Sequence, residues 1–282
     1  MSDRIELARC CLGFCSNSPF RLGFANAAAR FCRPTEIRKM TKLSRRLFMG
    51  ATATSAVALL PLKTTAQTTS SRLPAAPVKD GKSALSPDEA LQLLKDGNAA
   101  FLRDEITLPD RSEARRLELA QGQAPFCAYV SCSDSRVPPE LLFGRGLGEL
   151  FIVRNAGNTV DTVAMGSIEY AVAELGVPLV VIMGHESCGA VKAALAVVKD
   201  NARFPGQIDN MIEPIIPAVL EARGQEGDEL ENAVKQNIRR TVRTLREESD
   251  PLLLGPLKNG TIRVVGAYYH LQTGEVEFFD EG

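Results

Sequence analysis

The 282 residues are 45% hydrophobic and 24% charged, enough apolar chain for one large core or two small ones. The formal charge of −1 is unevenly spread: residues 1–66 carry eleven Lys/Arg against three Asp/Glu, which leaves 67–282 at −9. An acidic body lacks the basic face that nucleic-acid phosphates require, and three cysteines beyond residue 66 are too few for a disulfide framework, so no nucleic-acid partner and no disulfide-stapled scaffold are expected.

Residues 1–39 show no clean periodicity, and Met40 stands where an export signal would begin, so 1–39 read as a mis-assigned extension, the alternative being a real, disordered leader. Arg45-Arg46 precede a weakly apolar run, Ala51 to Leu62, and Thr64-Thr65-Ala66 offers a small-residue cleavage point. A basic stretch, a short apolar stretch and a cleavable end make 40–66 a twin-arginine signal peptide, implying the twin-arginine export machinery as a partner and a periplasmic or otherwise exported product. The run is shorter than the roughly 20 residues that span a bilayer, so no stable membrane span is expected.

Residues 67–85, rich in Thr, Ser, Pro and Lys, read as a linker, and the domain proper as 86–282. Ser86-Pro87-Asp88-Glu89 predicts a helix start: a serine cap, proline in the first turn and acids facing the positive end of the helix dipole. From Phe126 the pattern alternates. Short apolar runs at Phe126–Val130, Leu150–Val153 and Leu179–Met183 predict buried strands. Helices are predicted over 165–175, 190–198, 208–222 and 229–247, and Asp250-Pro251 reads as a break. Closing strands are predicted at 261–269 and 276–279 around Thr273-Gly274. The fold class is therefore α/β, a mostly parallel sheet flanked by helices.

Two constellations carry chemistry. Cys132-Ser133-Asp134-Ser135-Arg136 follows one buried strand, and His185-Glu186-Ser187-Cys188 follows another. Ligand sites in open α/β sheets gather beyond the carboxyl ends of strands, so both fall on one edge. Two thiolates and an imidazole suit Zn²⁺, and three protein ligands leave a fourth position open, the mark of a catalytic metal. Each residue alone reads as a core thiol or a capping histidine; together they read as a site. Gly144-Arg145-Gly146-Leu147-Gly148 precedes a strand instead of opening a helix, so it reads as a turn and not as a nucleotide loop. His270 reads as structural.

At these residues the chain resembles the beta-class carbonic anhydrases, whose signature is Cys-x-Asp-x-Arg followed some fifty residues on by His-x-x-Cys. The resemblance covers roughly 86–280 and extends to Arg154-Asn155-Ala156-Gly157-Asn158 and Ser167-Ile168-Glu169-Tyr170-Ala171. It implies a parallel sheet with one antiparallel edge strand, in a homodimer or higher even oligomer with sites at the subunit interface. It implies zinc on Cys132, His185 and Cys188, and hydration of CO₂ to bicarbonate by a zinc-bound hydroxide. Asp134, held off the metal by Arg136, would be catalytic and would become a fourth ligand only in a closed form. Gln123 would reach a neighbouring subunit's site, and Phe151, Ala156 and Tyr170 would line an apolar substrate pocket. Tyr129 stands where the bicarbonate-inhibited subgroup has tryptophan, so the bicarbonate lock lacks one of its parts, although Arg154 matches another, and the open form is expected to persist near neutral pH. The same scaffold could instead hydrolyse CS₂ or COS, or the site could belong to a non-catalytic zinc or thiol regulator; an intact Asp134–Arg136 pair speaks against the latter.

Overall fold

The computed structural model describes residues 75–105, 108–249 and 251–280, all within the unit Thr65–Gly282. The readings of 1–39 as an extension and 40–66 as a signal lie outside the described residues. From residue 75 the stretch read as a linker holds a small antiparallel hairpin, β1 (Val78–Lys79) and β2 (Lys82–Ser83). Just before it, the Ala76 N–H donates to Glu149 Oε1 at 2.9 Å, which ties this strip to the body.

Helix α1 (Pro87–Leu102) starts as its sequence dictates. Ser86 accepts from the Glu89 N–H, and the Glu89 carboxylate accepts from the Ser86 N–H at 2.8 Å, a closed capping box. Ala90, Leu91 and Leu94 are the face it buries. Helix α2 (Glu113–Leu119) follows, capped by Ser112 and burying nothing within the chain.

The main sheet has five strands: β3 (Cys127–Cys132), β4 (Leu150–Asn155), β5 (Leu179–His185), β6 (Arg263–Tyr269) and β7 (Val276–Asp280). Their spatial order is β4-β3-β5-β6-β7; the first four are parallel and β7 is antiparallel to β6. The observed fold is thus the expected one, including the antiparallel edge strand. Strands β3 and β5 are buried at every position, which is why their sequences read as unbroken apolar runs. Each extends two residues past its apolar run, so Cys132 and His185 are the last residues of their strands.

The connections between the parallel strands are helical. Helix α3 (Pro139–Leu142) bridges β3 and β4, and α4 (Thr162–Ala173), capped by Asp161, bridges β4 and β5. After β5 come α5 (Gly189–Asp200), α6 (Ile208–Ile212), α7 (Ile216–Glu221), α8 (Glu229–Arg243) and α9 (Pro251–Lys258). The single helix expected over 208–222 is broken by a 3₁₀ turn at Glu213–Ile215, because Pro214 and Pro217 lack the N–H groups that a continuous helix needs. Pro251 opens α9 instead of merely ending a segment, as a first-turn proline can. Helix α8 lies tightly on the sheet: a Cβ added to Gly184 would come within 2.7 Å of Val234 and 2.8 Å of Ile238. No helix among the described residues is long and apolar enough to cross a membrane.

Candidate metal centre

Strand register carries Cys132 and His185 to the same edge of the sheet, on neighbouring strands β3 and β5. Ser187, at φ +57°, turns the chain sharply, so that Cys188 caps α5 beside His185. The ligand atoms of Cys132, His185 and Cys188 lie within 4.8 Å of one another, and all three residues are buried. The two sulfurs are 4.0 Å apart. That is far beyond a disulfide bond but close to the ~3.8 Å between two sulfurs each about 2.3 Å from one tetrahedral ion.

The histidine is prepared in the same sense. Its Nδ1 donates to the Glu186 carbonyl at 2.8 Å, which leaves Nε2 with the lone pair. Nε2 is buried and has no hydrogen-bond partner among the described residues. A buried, unpaired acceptor facing two sulfurs fits a metal better than it fits a core position, since an unsatisfied polar atom costs free energy.

The two thiols are pushed in opposite directions. The Cys188 hydrogen bond lowers the Cys132 pKa to about 4 against the opposing effect of burial, with further help from His185 and the N–H groups of Gly157 and Asp134. The Gly157 N–H donates to Cys132 Sγ at 3.4 Å. Cys188 is pushed up in turn, by its hydrogen bond to Cys132, by burial and by the charge on Cys132. A dication would draw off the remaining proton.

Asp134 sits at the rim. Arg136 Nε donates to Oδ1 at 2.9 Å and Nη2 to Oδ2 at 2.7 Å, while the Arg136 N–H adds a third bond to Oδ1 at 3.0 Å. These bonds to Arg136 hold the carboxyl well below the usual carboxylate range, although partial burial works against them. Oδ2 also stops 3.9 Å from His185 Nε2. Arg154 clamps the backbone of this loop, donating to the carbonyls of Cys132 at 3.0 Å and Asp134 at 2.6 Å.

The expected pocket residues fall into two groups. Phe151 and Tyr170 face each other, with ring centroids 6.1 Å apart, and Ala156 is half-buried in the turn that also carries Gly157. Tyr170 is 49% exposed. Gln123 lines an open surface groove of about 600 Å³ with Leu119, Gly122 and Leu147, and none of the Cys132 set lines it. Within one chain the structure does not bring Gln123 to the metal set. Tyr129 is wholly buried in β3, donates to the Met183 sulfur and stands edge-on to Phe143 at 5.6 Å. His270 meets Tyr268 edge-on at 4.8 Å and lies 3.6 Å from the Glu277 carboxylate. Residues 144–148 form the turn before β4, and Arg145 is buried within it.

Sequence reasoning missed the supporting parts. The Arg154 clamp, the Gly157 N–H and Asn237, which reaches Gly157 from α8, were not singled out for these tasks. The Arg154-to-Asn158 segment was visible as a motif, but its hydrogen bonds depend on register between strands.

Comparison with known proteins gives one family. The carbonic anhydrase family model matches residues 127–276, which include both constellations. A carbonic anhydrase of Mycolicibacterium smegmatis is 40% identical over 192 residues, covering 68% of this chain and 93% of that protein. Carbonic anhydrase 2 of Mycobacterium tuberculosis is 37% identical over 195 residues, 69% and 94% of the respective chains. One of two tetrameric beta-carbonic anhydrases from Sordaria macrospora has a TM-score of 0.52 at 27% identity, over 58% of this chain and 85% of its own.

Proposed function

This chain belongs to the beta-class carbonic anhydrase family, and from that premise we propose how its own residues carry out the reaction. The reaction is the reversible hydration of carbon dioxide to bicarbonate and a proton.

Cys132 Sγ, Cys188 Sγ and His185 Nε2 would hold a zinc ion. The observation that carries this reading is the buried, unpaired Nε2 of His185 facing two sulfurs 4.0 Å apart. Zinc held there supplies Lewis-acid chemistry, lowering the pKa of a water from about 16 to about 7. Arg136 favours the ionised form of Asp134, so its Oδ2 would accept a hydrogen bond from the attacking water and orient it. Arg136 keeps that carboxylate off the metal position by occupying both of its oxygens. Arg154 fixes the loop on which Cys132 and Asp134 stand. Phe151 and Tyr170, whose rings meet, would with Ala156 offer an apolar wall, suited to a substrate without charge or dipole. The decisive experiment is stopped-flow CO₂ hydration with metal analysis on the purified chain. An inactive protein carrying one zinc per chain would sink the catalytic reading.

The functional unit is read as an even oligomer. Support comes from α4, where Val163 is 77% exposed and Tyr170 49%, an apolar strip beside the substrate wall. Gln123, in its open groove, would serve a neighbour's site. Light scattering that found a fully active monomer would refute this.

Export by the twin-arginine route, with cleavage near Ala66, rests on Arg45-Arg46 and the weakly apolar run behind them. That route carries folded proteins, which suits a site whose metal is inserted before export. Normal export of the Arg45→Lys/Arg46→Lys double variant would count against it.

A further inference from the structure

We propose that Asn237 is a positioning residue for the Cys132 sulfur, acting through the backbone of Gly157; the proposal rests on Cys132 being a metal ligand. Asn237 is the only polar side chain on the buried face of α8, among Ala233, Val234, Ile238 and Val242, and is 3% exposed. An amide in such a stripe destabilises the fold unless it is bonded, so its partner matters. Nδ2 donates to the Gly157 carbonyl at 3.0 Å, across 80 residues of sequence. The N–H of the same Gly157 donates to Cys132 Sγ at 3.4 Å.

Gly157 is suited to this place and to little else. Its φ is +80°, and an added Cβ would meet Ile215 at 2.5 Å and Ala190 at 3.1 Å. Its carbonyl and its N–H belong to adjoining peptide planes that meet at one α-carbon. Anchoring the carbonyl therefore limits the swing of the N–H. Within the turn, the backbone-to-backbone bond is long, Asn158 N–H to Asn155 O at 3.4 Å, and the Asn155 side chain ties the turn to the Thr159 carbonyl at 2.6 Å. Helix α8 itself is fixed on β5 by the close contacts of Val234 and Ile238 with Gly184. The direction of the N–H···S bond is thus set by a helix that contributes no metal ligand. Such a bond moderates the charge that sulfur gives to a metal and fixes the sulfur's orientation, as outer partners of metal ligands do.

The test uses the full chain as Asn237→Leu, which keeps size and loses the donor, and Asn237→Ala, which also cannot donate. Circular dichroism melts establish folding, chelator competition gives zinc affinity, and cobalt substitution gives the thiolate-to-metal charge-transfer band. The expected result is a folded protein whose zinc dissociation constant rises about tenfold to a hundredfold, with a shifted charge-transfer band. Folded variants with wild-type affinity and an unmoved band overturn the proposal while leaving the metal assignment intact. Failure of both variants to fold also overturns it, since Asn237 would then be a clamp of the fold alone. If the wild type binds no metal, or Cys132→Ser binds it equally well, the metal assignment itself fails and this proposal with it.

Discussion

The guanidinium of Arg136 meets the carboxylate of Asp134 through two parallel bonds, 2.9 and 2.7 Å long, and the nearer carboxylate oxygen stops 3.9 Å from His185 Nε2. On the proposed reading, the pair would decide whether the metal position is open. Both carboxylate oxygens are engaged, so ligation by Asp134 would require breaking a charge-assisted, two-point contact. Arg136 is more than half exposed, so the geometry of the contact matters more than its strength.

Removing the guanidinium should therefore close the site. Arg136→Ala is expected to lower kcat on the order of 10²-fold, because a group displaced by about 1 Å already costs that much. Zinc content should stay unchanged. Arg136→Lys should recover little, since an ammonium cannot make the fork. Stopped-flow hydration with metal analysis on both variants checks this; an alanine variant close to wild-type kcat would show that Arg136 does not hold Asp134 away.

The metal set should fail one ligand at a time. Cys188→Ser keeps the shape of the side chain but replaces a soft thiolate with a hydroxyl that zinc binds poorly. Zinc measured per chain after dialysis should fall well below one, and X-ray absorption should show fewer sulfur neighbours. Full occupancy with unchanged sulfur coordination would move the site elsewhere.

The fold behind that site was largely legible because β3 and β5 are buried on both faces, and their apolar runs admit few other readings. Ser86 was legible because a cap is local chemistry. What escaped was of two kinds. Helix α2 buries no residue within the chain, so its sequence carries no periodic apolar signal. The other kind was tertiary: Asn237 looks like one more polar position in a charged helix until α8 is laid on β5, and Arg154 acquires its carbonyls only from the pairing of Ser131 with Arg154 and Cys132 with Asn155.

Acid stability should depend on Glu277. Partial burial pushes its carboxyl up, but Lys235 at 2.9 Å and His270 at 3.6 Å outweigh this and leave the pKa lowered. A depressed carboxyl contributes stability above its unfolded pKa, near 4.3, and loses it as pH falls through the folded value. Glu277→Gln should therefore show a shallower loss of stability than wild type from about pH 5 to about pH 3. The side chain is 41% exposed, so the difference should stay below about 1 kcal/mol. Urea denaturation at several pH values measures it, and parallel curves for the two proteins would remove Glu277 from the account.

The last expectation concerns the proton. Each hydration turnover releases one, and it must leave faster than the next turnover begins. The chain has two histidines. His185 has its Nδ1 on the Glu186 carbonyl and its Nε2 aimed at the metal set, so neither nitrogen is free to carry protons. His270 is packed edge-on against Tyr268 and paired with Glu277. Asp134 is held too acidic by Arg136 to keep a proton near neutral pH, so it can orient water but not store its hydrogen. The carrier must then come from solution. Turnover should rise with buffer concentration, while kcat/KM for CO₂ should not, because proton release follows the hydration step. The same measurements, run from about pH 6.5 to about pH 9, should show no steep bicarbonate-enhanced collapse, since Tyr129 stands where the bicarbonate lock has tryptophan and Arg136 is there to hold Asp134. A kcat independent of buffer would reveal a protein-borne carrier, and His270→Ala would then show whether His270 is that group.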